Sequence, residues 1–350
     1  MSVDFSKNAK ERPEPHNAEV IGSIPDWLQG TLVRNGPGIF SVGETSYDHW
    51  CDGMSFMNSF SIKNGKVTHR SRFLRSDTYN SNMTSNRIVV SEMGTMAYPD
   101  PSKNFIFKAI TFLNHTVPDF TDNAASNIIK YGNDYYATSE TNYIRKIDPF
   151  TLETLDKVDY MKFLPVNLVS SHPHYDREGS VYNVGTSIAE KAKTKYIFFK
   201  IPAVTEKDIS FQSNDVCKLF MFNMVTLKYT TATAVKQKEG RLECKAEVLC
   251  EGFELPRINY DFNGKKHQFI YGNIVEESEN CWPSEPVFVP RPNGESEDDG
   301  VLLIAVINCI PGQSGFLLIL DGKTFKEVAR AYVNTELHRD MHGFFIPHAK

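Results

Sequence analysis

Short apolar runs separated by turn residues recur along almost the whole chain and limit its possible folds more than any other feature. Val, Ile, Phe, Tyr and Thr dominate these runs, whereas apolar spacing typical of helices is scarce. Residues 54–62 and 67–74, for example, flank Lys63-Asn64-Gly65-Lys66, whose Asn-Gly pair tolerates the positive φ of a tight turn. The chain is therefore predicted to be all-β, with strands joined to their sequence neighbours as antiparallel meanders.

A second hairpin is predicted at Asn263-Gly264, between strands at residues 260–262 and 267–271. Further turns are predicted at residues 132–134, 176–179 and 238–240. Residues 104–114 could form a short amphipathic helix.

Two distant segments share one pattern. Residues 147–153 and 320–326 each follow an aliphatic strand, precede another strand and fit apolar-Asp-x-x-Thr-apolar. A repeated Asp turn of this kind is typical of β-propeller blades, with a β-sandwich as the alternative. A length of 350 residues would allow about two domains, but no linker-like stretch divides the chain, so residues 1–350 are predicted to form a single domain.

Charge and cysteine usage exclude some functions. Lys and Arg number 38 against 43 Asp and Glu, which gives a net charge of -5 and no basic block of the kind that binds nucleic acid. The six cysteines are scattered without a C-x-x-C motif, which favours a reducing, cytoplasmic location. The first 20 residues are polar and charged, without the apolar core of a signal peptide, and the longest apolar stretch, residues 301–310, is too short for a membrane span, so neither is expected.

Two histidine pairs could bind a metal. His172 and His174 flank Pro173; in a strand they would face the same side and could share a metal, or a distorted turn could send one of them to solvent. His338 and His342 have a spacing that could chelate zinc on a helix. The following Gly343 favours a strand or turn instead, so zinc is the weaker interpretation.

Three glutamates lie in apolar or aromatic strand contexts: Glu140, Glu254 and Glu285. A buried carboxylate needs a partner, and the free N–H of a metal-bound imidazole is one such partner. The alternative is that each accepts backbone N–H groups or lies on an exposed face.

From about residue 14 to residue 347, the chain resembles the carotenoid cleavage oxygenase family. The resemblance is carried by residues 30–38 (GTLVRNGPG), 49–54 (HWCDGM), 75–79 (RSDTY), 171–174 (SHPH), 254–260 (ELPRINY) and 282–286 (WPSEP). It implies a seven-bladed β-propeller with short helical cap elements and iron(II) on the axis. In members of that family, four histidines hold the iron, and glutamates orient three of these histidines. His172 resembles the first ligand and His342 the last, Glu140, Glu254 and Glu285 resemble the orienting carboxylates, and His174 is not a ligand.

The chain also departs from the family. Members are longer, and the motifs that carry the two middle histidine ligands, similar to S-Y-Y-H-S-F-G and F-H-H-x-N, do not occur here. Segments are expected to be missing near residues 204–230 and 272–281. The resemblance therefore implies an incomplete propeller with half of its ligand set.

The resemblance implies Fe(II)-dependent cleavage of the central double bond of β-carotene by O2 to give retinal. The alternatives are an inactive shortened variant, a non-catalytic carotenoid or lipid binder, and an eccentric-cleaving dioxygenase. An enzyme that collects carotenoid from lipid needs peripheral membrane contact, and Phe105, Phe107 and Phe112 are the predicted apolar patch. The alternative is that this stretch packs as ordinary core.

Overall fold

The structure is a computed structural model that describes residues 5–97, 120–187, 195–203, 234–236, 242–244, 251–274, 280–310 and 312–348. Most regular elements in these ranges are strands, so the mostly-β prediction is confirmed. The helices are α1 (Asp77–Ser85) and three 3₁₀ helices, Trp50–Asp52, Tyr160–Lys162 and Tyr260–Phe262. The predicted helix at residues 104–114, with Phe105, Phe107 and Phe112, lies outside the described residues, as does the segment 204–230.

The strands follow one another along the chain with mostly short connections. They are β1 (Arg12–Asn17), β2 (Glu19–Gly22), β3 (Gly30–Ile39), β4 (Ser41–Val42), β5 (Thr45–Ser46), β6 (Met54–Lys63), β7 (Lys66–Phe73), β8 (Asn127–Tyr131), β9 (Asp134–Thr138), β10 (Tyr143–Ile147), β11 (Thr154–Asp159), β12 (Leu168–Val169), β13 (His174–Tyr175), β14 (Val181–Ser187), β15 (Lys195–Ile201), β16 (Ala234–Lys236), β17 (Leu242–Cys244), β18 (Phe253–Arg257), β19 (Tyr271–Ile274), β20 (Cys281–Pro283), β21 (Val287–Pro290), β22 (Gly300–Asn308), β23 (Phe316–Asp321), β24 (Glu327–Tyr332) and β25 (His342–Pro347).

Four larger sheets contain most of these strands, and every strand pairing in them is antiparallel. Their strand orders are β1-β7-β6-β3-β25, β11-β10-β9-β8, β12-β14-β13 with β15 on β14, and β2-β24-β23-β22-β20 with β21 on β22. The pairs β4-β5, β16-β17 and β18-β19 stand apart. The two ends of the chain exchange strands: β25 joins the amino-terminal sheet through β3, and β2 joins the carboxyl-terminal sheet through β24.

Apolar side chains fill the space between successive sheets. Leu32 and Phe60 of the amino-terminal sheet pack with Leu303 and Leu317 of the carboxyl-terminal sheet. The other face of the amino-terminal sheet packs on β8–β11, and that sheet in turn packs on β12–β15. The four sheets therefore stack in a row, and none of them closes on itself within the described part of the chain.

The repeated Asp turn forms at both predicted places with the same hydrogen bonds. Asp148 accepts the N–H of Thr151 through Oδ1 and the N–H of Leu152 through its carbonyl. Asp321 does the same for Thr324 and Phe325. Leu152 and Phe325 both have positive φ, 60° and 55°. Each turn joins the third and fourth strands of a four-stranded meander, β8–β11 and β21–β24, so the two meanders share one design.

The prediction of two paired strands on either side of Asn263-Gly264 is wrong. Residues 260–262 form a 3₁₀ helix that the Asn259 side chain caps, and β18 pairs with β19 instead. The buried Glu297 carboxylate accepts the backbone N–H groups of Gln268 and Phe269. Those groups are therefore unavailable for a strand pairing.

Helix α1 was missed because its apolar pattern is weak. Its start is fixed by the side chain of Ser76, which accepts the N–H of Tyr79 at 3.0 Å, and its end by Asn86 in the left-handed region. None of the described helices is long and apolar enough to cross a membrane.

Candidate metal centre

His172 and His342 lie side by side, although 170 positions of sequence separate them. Their ring centroids are 4.6 Å apart and the ring planes are nearly perpendicular, at 87°. His172 lies between β12 and β13, and His342 is the first residue of β25. Pairing of β25 with β3 sets His342 opposite Asn35, so the exchange of strands between the chain ends brings the two rings together.

Glu285 orients His342. Its Oε1 lies 2.9 Å from His342 Nδ1, and its Oε2 accepts the backbone N–H of Gly343 at 3.1 Å. Burial alone would raise the pKa of Glu285, but the hydrogen bond from His342 and the charges of Arg257 and Arg34 lower that pKa below its usual value. A charged carboxylate favours the His342 tautomer that carries its proton on Nδ1, and in that tautomer Nε2 has the lone pair that a metal needs.

A buried charge network holds Glu285 in place. Arg34 is fully buried and donates to the Glu285 carbonyl at 2.9 Å and to Asp340 at 2.5 Å. Arg257 Nη1 lies 3.5 Å from Glu285 Oε1. Two arginines thus balance two carboxylates. Sequence reasoning did not find Arg34, Arg257 or Asp340; the available signal was a charged residue inside the apolar strand β3.

His172 is held by its neighbours rather than by a carboxylate. Ser171, next to it, donates both its N–H and its hydroxyl to Glu140, and its carbonyl accepts the side-chain N–H of the buried Asn127 at 2.8 Å. Burial and the adjacent His342 ring lower the pKa of His172, so its imidazole is neutral near pH 7, as a metal ligand must be. Asn127 is a second positioning residue that sequence reasoning missed.

Two of the three glutamates lack an imidazole hydrogen bond. Glu140 Oε1 is 3.9 Å from His172 Nε2, and its side chain is 51% exposed. Glu254 is exposed on β18, with no imidazole partner within the described residues. Glu285 is thus the only one of the three carboxylates that hydrogen-bonds an imidazole within the described residues. His174 is exposed in β13.

The residues present fit a four-histidine iron site only in part. His342 and His172 offer two imidazoles, one of them oriented by a carboxylate. No group of three or more His, Cys, Asp or Glu side chains able to hold a metal occurs in the described ranges. The described part of the chain therefore brings together half of the donor set that the resemblance implies.

The other described histidines have local partners. His49 accepts the N–H of Cys51, His338 packs on Phe56, His348 lies 3.0 Å from the Thr31 hydroxyl, and His267 contacts the Lys265 carbonyl. His69 is fully buried between β6 and β1, with Nε2 3.0 Å from Asn58 and Nδ1 3.4 Å from His16. His115 lies outside the described residues.

His69 makes the fold sensitive to acid. Burial, with smaller contributions from His16 and Arg12, lowers the pKa of His69 to about 3. The unfolded chain binds this proton below pH about 6.5 and the folded chain does not, so stability is lost as pH falls from about 6.5 towards 3. We expect urea unfolding to show a loss of about 2 kcal/mol between pH 6.5 and 5 that a His69→Gln variant lacks. Parallel pH profiles of the two proteins would contradict this assignment.

Comparison with known proteins shows which family the chain belongs to. The profile of the family described as RPE65, retinal pigment epithelial membrane protein, matches residues 5–226 and 213–347. The β,β-carotene 15,15′-dioxygenase of Gallus gallus is 40% identical, with 99% of this chain and 98% of the relative covered. The chain belongs to the RPE65/carotenoid oxygenase family. By this resemblance it is an oxygenase.

Other carotenoid oxygenases extend the comparison. The human β,β-carotene 15,15′-dioxygenase is 38% identical over 99% of this chain and 95% of its own length. The human mitochondrial carotenoid-cleaving dioxygenase is 31% identical over 97% of this chain and 89% of its own length.

Solved carotenoid oxygenases share the fold. The Synechocystis apocarotenoid oxygenase, in a Glu150Gln mutant form, superposes with a TM-score of 0.71 at 16% identity and 98% coverage of both chains. A cobalt-substituted form of that enzyme gives 0.72 at the same identity and coverage, so at least one neighbour holds a metal.

Proposed function

We propose that this chain is a shortened carotenoid dioxygenase whose complete form cleaves the central double bond of β-carotene with O2 and Fe(II) to give retinal. The observation that carries the proposal is the His172–His342 pair with Glu285 hydrogen-bonded to His342. His342 Nε2 and one nitrogen of His172 would hold the metal. Iron(II) would supply binding and activation of O2 beside the polyene. Because two imidazoles do not complete the site, we derive no catalytic step through iron for this chain.

Missing segments near residues 204–230 and 272–281 are part of the proposal. The alignment with the Gallus gallus relative extends over 520 residues, which a chain of 350 residues cannot fill without gaps. The two family matches meet at residues 213–226, within the first proposed gap. The chain would then be a single-domain, incomplete seven-bladed propeller. The two matching four-stranded meanders, β8–β11 and β21–β24, support this architecture.

Central cleavage is favoured over eccentric cleavage by the degree of similarity. Relatives named as 15,15′-dioxygenases are 38–40% identical, whereas those named as mitochondrial carotenoid-cleaving dioxygenases are 29–31% identical. The second candidate function is non-catalytic binding of a carotenoid or lipid. It is favoured by the incomplete donor set of this chain.

We further propose that this protein is cytosolic and that it contacts membranes peripherally. The scattered cysteines support the first part. The second part rests on the apolar stretch with Phe105, Phe107 and Phe112 and on the need to collect an insoluble carotenoid from lipid.

The test of the proposed function is product analysis. A chimera would carry the corresponding segments of the Gallus gallus relative after Ala203 and after Ile274. With Fe(II), O2 and β-carotene it should form retinal as its only carbonyl product. Aldehydes of unequal chain length would favour eccentric cleavage. No cleavage by the folded chimera would favour the binder.

A further inference from the structure

Asn35 is a fully buried polar residue in the buried strand β3. Its side-chain Nδ2 donates to the carbonyl of Ala124 at 2.7 Å and to the carbonyl of Asn127 at 3.2 Å, and its Oδ1 accepts the hydroxyl of Ser55 at 2.8 Å. Carbonyl oxygens can only accept hydrogen bonds, so these two bonds determine which end of the amide carries the N–H groups. Each polar atom of this side chain therefore has a partner, as its burial requires.

The backbone of Asn35 holds the segment that leads into His342. The carbonyl of Asn35 accepts the N–H of Met341 at 2.8 Å, and Asn35 lies opposite His342 in the pairing of β3 with β25. The neighbouring Gly36 lets the two segments approach closely, because a Cβ at this position would lie 2.6 Å from the Cα of Asp340. The position of His342 therefore depends directly on the position of Asn35.

The side chain of Asn35 holds the segment that leads into His172. Asn127, whose carbonyl accepts from Asn35, donates its own side-chain N–H to the carbonyl of Ser171 at 2.8 Å. Ser171 is fully buried and immediately precedes His172. Three hydrogen bonds thus connect Met341 to Ser171, and each end of this chain lies one residue before a candidate ligand.

We propose that Asn35 is the positioning residue that sets the separation of His172 and His342. The inference rests on the proposed function, because it concerns the two imidazoles that would hold the metal. Glu285 orients the ring of one histidine, whereas Asn35 is linked to the backbone beside both. Ligand groups must be held within about 0.5 Å of their working geometry, and a buried amide whose polar atoms are all bonded supplies that rigidity.

The separation of the two rings can be measured without metal from the nuclear Overhauser effect between their protons. The ring centroids are 4.6 Å apart, so the metal-free chain, isotope-labelled only at histidine, should show a cross-peak between His172 and His342. Alanine variants of the two histidines assign its signals. The effect falls with the sixth power of distance, and a loosened supporting shell misplaces a group by about 1 Å. Asn35→Leu keeps the size of the side chain but removes its hydrogen bonds, and it should weaken the cross-peak at least about threefold.

Asn82→Leu is the matched control. Asn82 is as buried as Asn35, and its side chain donates to the Tyr47 hydroxyl and accepts two backbone N–H groups of the segment that follows α1. Asn82→Leu should therefore lower the midpoint of urea unfolding, as Asn35→Leu does, but leave the cross-peak unchanged. If Asn35→Leu does not fold, Asn127→Leu breaks the link to Ser171 alone and should also weaken the cross-peak.

The consequence for metal binding is measured by anaerobic equilibrium dialysis with Fe(II) alone. Asn35→Leu should lower the affinity at least about tenfold, because loss of a group that positions a ligand typically costs about 10–100-fold. Asn82→Leu should leave the affinity unchanged.

A cross-peak that is absent from the unsubstituted chain, or that is unchanged in a folded Asn35→Leu or Asn127→Leu variant, would overturn the inference. Equal weakening in Asn82→Leu would overturn it as well. If the unsubstituted chain binds Fe(II), an affinity that Asn35→Leu does not change would also contradict the inference. If the unsubstituted chain binds no Fe(II) but Asn35→Leu weakens the cross-peak, the positioning role stands and the metal site of the proposed function fails, so the two failures are distinguishable.

Discussion

The 350-residue chain is expected to convert β-carotene to retinal at least about 100-fold more slowly than the chimera with restored segments. Loss of a partner that orients a ligand typically costs 10–100-fold in metal affinity or activity, and under the proposed function the 350-residue chain would lack two of the ligands themselves. Two imidazoles cannot fix a metal with O2 and the alkene in adjacent positions. Absent blades would also leave sheet edges unpaired and the substrate tunnel open to water.

The measurement is retinal formation from detergent-solubilised β-carotene with added Fe(II), followed by chromatography. A chimera carrying His342→Ala is the control and should fall to the level of the shortened chain. Turnover by the 350-residue chain at a rate comparable to the chimera, and lost in His172→Ala, would show that the residues present rebuild the site.

Glu285→Ala is expected to lower the free energy of unfolding by about 3 kcal/mol, because it removes one partner from a buried charge network. The substitution leaves Asp340 as the one carboxylate beside the fully buried Arg34 within the described residues, and it removes the acceptor of His342 Nδ1 and of the Gly343 N–H. Urea unfolding at pH 7 measures the effect.

The other two glutamates provide graded controls for this prediction. Glu140→Ala should cost about 1 kcal/mol, because the half-exposed carboxylate accepts only from Ser171 among its hydrogen-bond donors in the described residues. Glu254→Ala, at an exposed position, should change stability by no more than about 0.5 kcal/mol. Equal losses in all three variants would contradict the network.

Local features of the fold were predictable where one short segment determines the geometry. Asn64 and Gly65 have the positive φ values, 51° and 71°, that the Asn-Gly hairpin turn requires. The turns at Asp148 and Asp321 form because one carboxylate and its own backbone close them. At Asn263-Gly264 the same type of signal failed, because the distant Glu297 competes for the backbone N–H groups.

The site was predictable only in part, for the same reason. The resemblance led to His172, His342 and Glu285, and the structure brings the first two together and hydrogen-bonds the third to His342. The supporting residues Arg34, Asn127 and Asp340 depend on strand register and on contacts between positions that are 44 to 306 residues apart. No local pattern encodes such contacts.

Anaerobic equilibrium dialysis with Fe(II) tests most directly the claim that His172 and His342 are the remaining half of a metal site. The 350-residue chain and its His174→Ala control should bind the ion weakly and equally. His172→Ala and His342→Ala should each weaken binding by at least about tenfold. An affinity unchanged by both substitutions, or lowered as much by His174→Ala, would contradict the claim.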